Sequence, residues 1–376
     1  MKIALVVHDF DPGLGQGRYA IELARRLGRR HQVEILANRF GVAPETSWKF
    51  VPIRAWRGNS LGTVFSFLLA AEREVRRRQV DLIHAQGLTC WSADVITAHV
   101  CNAARVLAQP PTTARGRLFP SLVIPMEARF YRQVRATHLI AISWAVAREV
   151  ESHYGWRKEV SVIHHGVDTS EFRPPLDATE RAAVRARYGL GPEDRVWLFV
   201  GEARKGLSNV IRQLPGFPGV RLLAISRSAA GEYRALAANL GVGDRLVFHG
   251  PETEIALAYR AADAFVYPST YDTFGMVVAE AMASEAPVVV GKAVGAAEWL
   301  TDGVDGLLVD PAAPSSLELA LRRIESDPEG ARSLGARARR RALEYSWDHQ
   351  AALTERVYEA ALLRRRGGDS GNGARA

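Results

Sequence analysis

Two acidic residues, Asp272 and Glu280, are separated by seven residues at a place where an apolar strand gives way to a helix. The strand candidate stops at Tyr267, and the Pro-Ser-Thr-Tyr-Asp cluster that follows is typical of a loop. Met276, Val277 and Glu280 then fall on adjacent turns of a predicted helix. Asp272 is therefore predicted at the carboxyl end of a strand, and Glu280 inside the next helix.

This placement favours the binding of a phosphorylated ligand. In an open α/β sheet, ligands bind outside the carboxyl ends of the strands. A helix N-terminus at that edge offers free N–H groups and a partial positive charge to phosphate. A carboxylate within the helix can accept hydrogen bonds from the two hydroxyls of a ribose. Taken singly, Asp272 as a helix cap and Glu280 as a solvated side chain are the simpler interpretations.

A pair of adjacent cations, Arg204 and Lys205, follows another predicted strand that runs from Val196 to Gly201. A guanidinium binds phosphate in a forked geometry and an ammonium acts as a point charge, so together they suit a diphosphate. Arg-Lys-Gly is otherwise common surface chemistry. The predicted strand–loop–helix context favours the ligand-binding interpretation.

A glycine-rich turn follows the first predicted strand, Ile3 to Val7, and contains Gly13, Gly15 and Gly17. A helix is predicted from Tyr19 to about Arg29, and a second strand from Gln32 to Ala37. This βαβ opening could bring backbone N–H groups close to a diphosphate. A nicotinamide-binding fingerprint needs Gly-x-Gly-x-x-Gly and an acid at the end of the second strand, and both are missing here.

Two histidines occur at predicted strand ends, His84 in the strand from Val80 to Ala85 and His99 in the strand from Asp94. A hydrogen-bonded rim residue is the simpler interpretation of each. Both remain candidates for ligand contact: a family resemblance given below implies a place beside the donor for His99, and His84 is the weaker candidate, in the cleft for the acceptor.

Several of these motifs together resemble one family. Asp272-x-Phe274-Gly275 followed by Glu280-Ala281-Met282, the Gly15-x-Gly17-Arg18-Tyr19 turn and Gly295-Ala296-Ala297-Glu298 are similar to the signature of retaining GT-B glycosyltransferases, which include lipopolysaccharide core glucosyltransferases and mannosyltransferases. The resemblance extends over nearly the whole chain. It implies an α/β protein of the GT-B fold, with two Rossmann-like domains facing a central cleft and a C-terminal helix that crosses back to the first domain.

The resemblance also implies a role for each candidate residue. Arg204 and Lys205 would stabilise the departing diphosphate, Glu280 would hold the ribose, and Asp272 and His99 would orient the donor sugar. The family usually has Glu at the position of Asp272, and Asp is one methylene shorter. Further donor contacts are implied for Gly15, Gly17, Gly201, Phe274, Gly275, Met276 and Val277.

The resemblance implies neither a metal nor any other cofactor, because the nucleotide-sugar is a substrate. The acid-x-acid triplet Asp9-Phe10-Asp11 is a candidate metal site. Its place in the N-terminal half, away from the predicted donor cations, favours a turn.

The length of 376 residues exceeds what one core usually holds. We predict an acceptor domain at 1–170, a donor domain at 171–345, a helix at 346–363 that returns to the first domain, and a disordered tail at 364–376. Cys90 and Cys101 alone make neither a disulfide framework nor a zinc site. The apolar run from Ile3 to Val7 is too short for a signal peptide, and charged residues follow it too soon. A cytoplasmic protein is therefore expected.

The net charge of +8 is uneven along the chain. Residues 1–168 hold 23 Lys and Arg against 14 Asp and Glu, and the remainder holds 26 against 27. A basic first half suggests an anionic partner. An anionic membrane surface is favoured over nucleic acid, because Arg residues alternate with apolar ones.

The stretch between Arg105 and Arg135 carries this pattern most clearly. It is predicted to be irregular before a helix that contains Arg129. A connection with a solvated Arg face is the simpler interpretation; the alternative is a membrane contact through Leu118, Phe119, Leu122 and Ile124. Phe65, Leu68 and Leu69 with Arg73, Arg76, Arg77 and Arg78 could extend the same surface.

Together these observations predict a retaining glycosyltransferase. It would move a sugar from a nucleotide-sugar donor, UDP-linked in preference to GDP-linked, to a hydroxyl of a lipid-linked, lipopolysaccharide-core or other saccharide acceptor at the inner face of the cytoplasmic membrane. The alternatives are a nucleotide-sugar epimerase of the same fold and a membrane-binding protein that has kept the fold without activity. A dehydrogenase is the least favoured alternative, because its nicotinamide-binding fingerprint is missing.

Overall fold

The computed structural model describes residues 1–56, 58–111 and 113–371. The chain divides into two compact units, Met1–His165 with Trp347–Ala376, and Gly166–Ser346. The sequence predicted the boundary near residue 170, and the chain enters the second unit at Gly166. Val167 is already part of that unit, because its backbone N–H donates to the carbonyl oxygen of Tyr345 at 3.0 Å.

The first unit is built on a parallel sheet of seven strands among the described residues, in the order β5-β3-β1-β6-β7-β8-β9. A separate two-stranded sheet pairs β2 with β4. The strands are β1 Lys2–Val6, β2 Asp9–Phe10, β3 Gln32–Ala37, β4 Arg39–Phe40, β5 Trp48–Pro52, β6 Leu82–Gln86, β7 Val95–Ala98, β8 His138–Ala141 and β9 Glu159–Val162.

The helices of this unit are α1 Gly15–Leu27, α2 Ser60–Arg76, α3 Asn102–Ala108, α4 Ala114–Gln133, α5 Trp144–Tyr154 and the last helix of the chain, α13 Trp347–Gly371. The apolar runs of β1 and β7 are fully buried, as expected for a parallel sheet covered on both faces. Helix α13 belongs to this unit and ends at Gly371, whereas the sequence predicted a helix only to 363 and a tail from 364. Residues 372–376 of that predicted tail lie outside the described residues.

The second unit repeats the architecture with a parallel sheet in the order β12-β11-β10-β13-β14-β15. Its strands are β10 Arg195–Val200, β11 Val220–Ile225, β12 Leu246–His249, β13 Ala264–Tyr267, β14 Val288–Gly291 and β15 Leu307–Val309. Its α-helices are α6 Ala178–Arg187, α7 Leu207–Gln213, α8 Gly231–Asn239, α9 Ile255–Ala261, α10 Met276–Ala283, α11 Pro314–Ser326 and α12 Pro328–Leu343. Short 3-10 helices cover Ala203–Lys205, Leu214–Gly216, Gly243–Arg245 and Gly295–Trp299.

Both sheets reverse their strand order once. In the first unit the reversal falls between β1 and β6, and in the second between β10 and β13. Loops that leave neighbouring strands at such a point diverge, and they open the crevice in which doubly wound sheets bind ligands. The predicted α/β architecture of two Rossmann-like domains is confirmed.

Helix α4 corrects the prediction for the stretch from Arg105 to Arg135. The structure has a twenty-residue helix there, with Pro120 and Pro125 inside it. Thr113 caps its start by accepting a hydrogen bond from the Gly116 N–H at 3.0 Å. A proline within a helix removes one backbone hydrogen bond, and for this reason the sequence indicated an irregular segment.

Candidate active site

The second unit brings the loops after β10 and β13 together at its topological switch point. Lys205 follows β10 and Asp272 follows β13, and Lys205 Nζ lies 2.7 Å from Asp272 Oδ2. Both side chains are mostly buried, with exposed fractions of 21% and 11%. The predicted cation and the predicted acid therefore lie side by side at the edge where ligands bind in this sheet type.

The Asp272 loop is held by backbone contacts to the segment after β14. The Asp272 N–H donates to Ala293 O at 3.3 Å, and the Gly295 N–H donates to Asp272 O at 2.9 Å. Gly295 has to be glycine, because a Cβ there would lie 2.3 Å from the Thr273 carbonyl oxygen. The loop is thus fixed before any ligand arrives.

Helix α10 begins directly after this loop. Gly275 precedes it with a φ of 84°, a left-handed conformation that favours glycine. A Cβ on Gly275 would lie 3.6 Å from Asp272 Oδ2, so the start of the helix and the acid are neighbours. Met276 and Val277 form the first helical residues and are half-buried.

Glu280 lies in α10 with an exposed fraction of only 4%. Its Oε2 accepts a hydrogen bond from the phenol of Tyr259 at 2.7 Å. A solvated glutamate, the simpler interpretation from sequence, is therefore wrong. The buried carboxylate is oriented by a partner that the sequence analysis did not identify.

Three further residues predicted as donor contacts have protein contacts of their own, and their donor role stays a prediction. The Phe274 side chain is 1% exposed and packs edge-on against Trp299, so it belongs to the core. Gly201 lies beside the Tyr267 ring, since a Cβ on it would lie 3.5 Å from Tyr267 Cε2. Arg204 is half-exposed, and its Nε donates to Glu202 at 2.6 Å.

The glycine-rich turn of the first unit also differs from the prediction. Gly15 and Gly17 lie in the first turn of α1 instead of in the loop before it. A Cβ on Gly17 would lie 2.3 Å from the Asp11 carbonyl oxygen, so its glycine serves the close packing of this turn. Nothing lies within 4 Å of a Cβ on Gly15, which leaves that position open to a ligand.

A pocket of about 580 Å³ opens at the switch point of the first unit. Its polar lining includes Asn59, Gln86, His99, Asn102 and Glu127. Val64, Phe119 and Val123 supply an apolar wall. This combination suits a ligand that presents hydroxyl groups and an apolar side.

His99 follows β7 at the pocket. Its Nε2 lies 2.7 Å from Gln86 Oε1, and its Nδ1 has no hydrogen-bond partner among the described residues. Burial lowers the pKa of His99 to about 3, so the imidazole is neutral at physiological pH. A neutral imidazole can form a hydrogen bond with a ligand without carrying charge.

His84 is not a pocket residue, which corrects the second histidine candidate. It is fully buried, and its two ring nitrogens lie 2.7 Å from Tyr358 of α13 and from Thr97. Burial, and then the neighbouring His99, lower its pKa to about 3. The simpler structural interpretation therefore holds for His84.

Glu127 is the buried carboxylate of this pocket. It accepts hydrogen bonds from the Tyr154 phenol and from Asn102 Nδ2, the latter at 2.8 Å. Burial raises the pKa of Glu127 despite these donors. Sequence reasoning missed this residue, because its partners lie on α3 and α5.

No group of three or more His, Cys, Asp or Glu side chains that could hold a metal ion occurs among the described residues. Asp11 of the Asp9-Phe10-Asp11 triplet accepts a hydrogen bond from the Gly13 N–H at 2.9 Å, which is turn geometry. Within the same part of the chain, no helix has the length and apolar character needed to cross a membrane.

Comparison with known families agrees with this geometry. Residues 180–341 match the family "Glycosyl transferases group 1", and residues 14–171 match "Glycosyltransferase Family 4". A D-inositol 3-phosphate glycosyltransferase from Xylanimonas cellulosilytica is 32% identical over 93% of both chains. The same-named protein from Streptomyces bingchenggensis is 34% identical over 78% of this chain, which spans 64% of that relative's length.

Solved structures share the fold at lower identity. Sucrose-phosphate synthase from Thermosynechococcus elongatus has a TM-score of 0.82 at 22% identity, with 97% of this chain and 100% of that chain covered. WaaG, a glycosyltransferase involved in lipopolysaccharide biosynthesis, has a TM-score of 0.78 at 20% identity, with 93% and 98% covered. HepE from Anabaena, solved with UDP and glucose, has a TM-score of 0.73 at 19% identity, with 96% and 100% covered.

The two domain matches, the full-length relative and the two doubly wound sheets lead to one conclusion: the chain belongs to the group 1 glycosyltransferases and has the GT-B fold.

Proposed function

We propose that this protein is a retaining glycosyltransferase that transfers a sugar from a nucleotide-sugar, UDP-linked in preference to GDP-linked, to a hydroxyl of a glycolipid or saccharide acceptor. The observation that carries the proposal is the Lys205–Asp272 pair, 2.7 Å apart at the switch point of the second unit. A cation and a carboxylate held together there suit a ligand with both a diphosphate and a sugar.

The cations and the start of α10 act on the leaving group. As the glycosidic bond breaks, negative charge grows on the diphosphate and the sugar becomes oxocarbenium-like. Fixed positive groups that are already in place stabilise that charge without reorganisation. Lys205, Arg204 and the N–H groups at the start of α10 supply them, and no catalytic metal or other cofactor is part of the proposal.

The donor nucleoside is assigned to Glu280. Its carboxylate accepts a hydrogen bond from Tyr259, and a carboxylate can also accept hydrogen bonds from the ribose hydroxyls. The UDP preference is supported by HepE, whose solved structure contains UDP and glucose. Asp272 and His99 are proposed to orient the sugar.

The acceptor is assigned to the pocket of the first unit. Its polar side chains suit sugar hydroxyls, and the wall that contains Phe119 suits an apolar ring face or lipid segment. The acceptor hydroxyl attacks from the face that the diphosphate leaves, so the anomeric configuration is kept. A lipid-linked or lipopolysaccharide-core acceptor is supported by the exposed apolar surface of this unit and by the description of WaaG.

The same surface supports binding to the inner face of an anionic cytoplasmic membrane, and no nucleic-acid partner is proposed. Leu118 and Leu122 on α4 are exposed by 61% and 46%, and Phe65 and Leu69 on α2 by 51% each. Helices α2 and α4 pack against each other, and exposed Arg73, Arg117 and Arg129 lie on them. Leu68 of the predicted surface is buried, and Arg78 is paired with Glu34 and Glu74.

Turnover of nucleotide-sugars tests the proposal. The purified protein is incubated with UDP-glucose, UDP-galactose and GDP-mannose, and sugar release or transfer to a methyl glycoside is followed by proton NMR. The proposal predicts product from at least one donor, with the donor's anomeric configuration. No product above the Lys205→Ala variant with every donor, or a product of inverted configuration, would overturn it.

A further inference from the structure

Asp272 receives two hydrogen bonds on one oxygen atom. Lys205 Nζ donates to Oδ2 at 2.7 Å, and the Tyr267 phenol donates to the same Oδ2 at 2.8 Å. A carboxylate has two oxygens and about four lone-pair positions. Oδ2 is thus occupied by two donors.

The phenol reaches Asp272 from the core of the sheet. Tyr267 is the last residue of β13 and is 1% exposed. Its ring is packed against Phe265 and Phe199, with centroids 5.9 and 5.6 Å away. An aromatic ring held on two sides keeps its hydroxyl in one place.

Gly201 leaves room for the Tyr267 phenol. It follows β10, the strand beside β13, with a φ of 130°. A Cβ on Gly201 would lie 3.7 Å from the Tyr267 hydroxyl oxygen, so a larger side chain would meet the phenol. The glycine predicted as a donor contact therefore lies beside the group that fixes the acid.

We propose that Tyr267 is a positioning residue for the transfer reaction: its buried phenol fixes the Asp272 carboxylate, and through it the Lys205 ammonium, in the geometry that the donor meets. The expected effect of Tyr267 on turnover rests on the proposed function. The positioning itself is a property of the unliganded protein and can be measured without substrate.

The protonation states fit this role. Burial, and then the neighbouring Asp272 carboxylate, raise the pKa of Tyr267 well above its ordinary value, so the phenol stays a donor at every working pH. Hydrogen bonds to a charged acceptor are about twice as strong as neutral ones. When the phenol is removed, Asp272 Oδ2 loses the hydrogen bond from Tyr267 and keeps the one from Lys205.

The test is lysine side-chain NMR on the full chain, which has only five lysines and thus few ammonium signals. The Lys205 signal is assigned by its loss in Lys205→Ala. In wild type the Lys205 ammonium should be more protected from exchange than that of the exposed Lys49, and Tyr267→Phe should lower that protection about tenfold. Tyr188→Phe is the matched control, since it removes another buried phenol, one that donates to Glu252 at 3.4 Å.

Turnover of UDP-glucose in the same variants separates positioning from general stability. Tyr267→Phe should lower kcat about tenfold with little change in KM for the donor, whereas Tyr188→Phe should change neither. In the Asp272→Ala background, removal of the phenol should have no further effect on the protection of Lys205.

The outcomes are distinguishable. An unchanged Lys205 signal in Tyr267→Phe, or an equal loss in both backgrounds, would overturn the positioning role whether or not the protein turns over donor. A wild-type protein that neither binds UDP nor releases glucose, with the Lys205 signal changed as expected, would contradict the proposed function and leave the geometry of Tyr267 supported.

Discussion

At the residue scale, the central feature is an ammonium that is already paired before a diphosphate arrives. Within the part of the chain that the structure describes, Lys205 uses one of its three N–H donors on Asp272, and two remain for phosphate oxygens. The acid limits the freedom of a long, flexible side chain, so less entropy is lost when the ligand binds. This arrangement favours tight binding of a diphosphate with little movement of the lysine.

Glu280 provides a residue-scale prediction because its carboxylate is both buried and bonded to Tyr259. Glu280→Ala should lower the melting temperature, since it removes the carboxylate that accepts the hydrogen bond of the buried Tyr259 phenol, at a cost of about 1–3 kcal/mol. Glu280→Gln retains an acceptor oxygen and should keep the fold. Both variants should lose UDP affinity about tenfold or more by calorimetry if the carboxylate binds ribose.

A Glu280→Gln protein with normal melting temperature and normal UDP affinity would remove Glu280 from the nucleotide site. Comparison of the two variants separates the structural part of the residue's role from the ligand-binding part.

At the element scale, the start of α1 depends on one glycine and leaves another free. Gly17→Ala should destabilise the protein, because a Cβ would clash with the backbone at Asp9 and Asp11. Gly15→Ala is the matched control: its Cβ meets open space and alanine favours helix. Chemical unfolding should therefore show a loss for Gly17→Ala and little change or a small gain for Gly15→Ala.

If Gly15→Ala keeps its stability but loses UDP affinity, the first turn of α1 contacts the donor as predicted. Equal stability of the two variants would contradict the packing role assigned to Gly17.

The exposed apolar residues of α4 carry the membrane prediction. Leu118→Ser with Leu122→Ser should weaken sedimentation with phosphatidylglycerol vesicles several-fold, because burial of a leucine is worth about 1.5–3 kcal/mol. Leu319→Ser with Leu343→Ser is the matched control, since these leucines of the second unit are exposed by 68% and 49%. Equal binding by both double variants, or no binding of wild type, would contradict the membrane assignment.

The predictability of the elements followed from their local chemistry. The β-branched runs such as Val288–Val290 and the apolar run at Ala264–Tyr267 predicted strands that the structure contains. The first part of helix α4 was missed because Pro120 and Pro125 interrupt its pattern, while the burial of Val123 favours the helix there. The end of the helix, around Arg129, was predicted. Tertiary packing can outweigh local propensity in this way.

The sequence predicted members of the candidate site but not the contacts between them. Arg204, Lys205, Asp272 and Glu280 were identified from spacing and strand ends. No local pattern could show that Lys205 lies against Asp272, because that contact depends on β10 and β13 being neighbours. The contacts of Tyr267 with Asp272 and of Tyr259 with Glu280 depend on how the loop after β13 folds and on how α9 lies beside α10.

At the scale of the whole molecule, the last helix joins the two ends of the chain. Arg29 and Arg30 near the N-terminus pair with Asp348 and Glu355 of α13. In the interior, Tyr358 of the same helix lies 2.7 Å from His84. Surface pairs such as the first contribute little individually, so the buried contacts fix this helix.

The buried histidines predict a pH dependence of stability. The pKa values of His84 and His99 fall to about 3 in the folded protein, and burial lowers that of His165 well below its ordinary value. The unfolded chain takes up protons on these residues below about pH 6.5, and the folded chain does not. Stability is therefore fully present above that pH and is lost as the pH falls, by about 1.4 kcal/mol per pH unit for each histidine.

Urea unfolding between pH 5 and 7 measures this slope. His84→Gln should reduce the slope of stability against pH by about 1.4 kcal/mol per pH unit below about pH 6.5, the histidine pKa in the unfolded chain. His153→Gln, a change at an exposed histidine, should leave it unaltered. A wild-type stability that is flat from pH 7 to 5 would contradict the neutral state of the buried histidines.

The most direct measurement for the whole account is calorimetric titration of the purified protein with UDP, GDP and NAD, repeated with Lys205→Ala and with Lys49→Ala as an exposed-lysine control. We expect UDP to bind, GDP to bind more weakly and NAD not to bind. Affinity should fall about tenfold or more in Lys205→Ala and remain unchanged in Lys49→Ala. No binding of either nucleoside diphosphate, or equal binding by both lysine variants, would contradict the donor site.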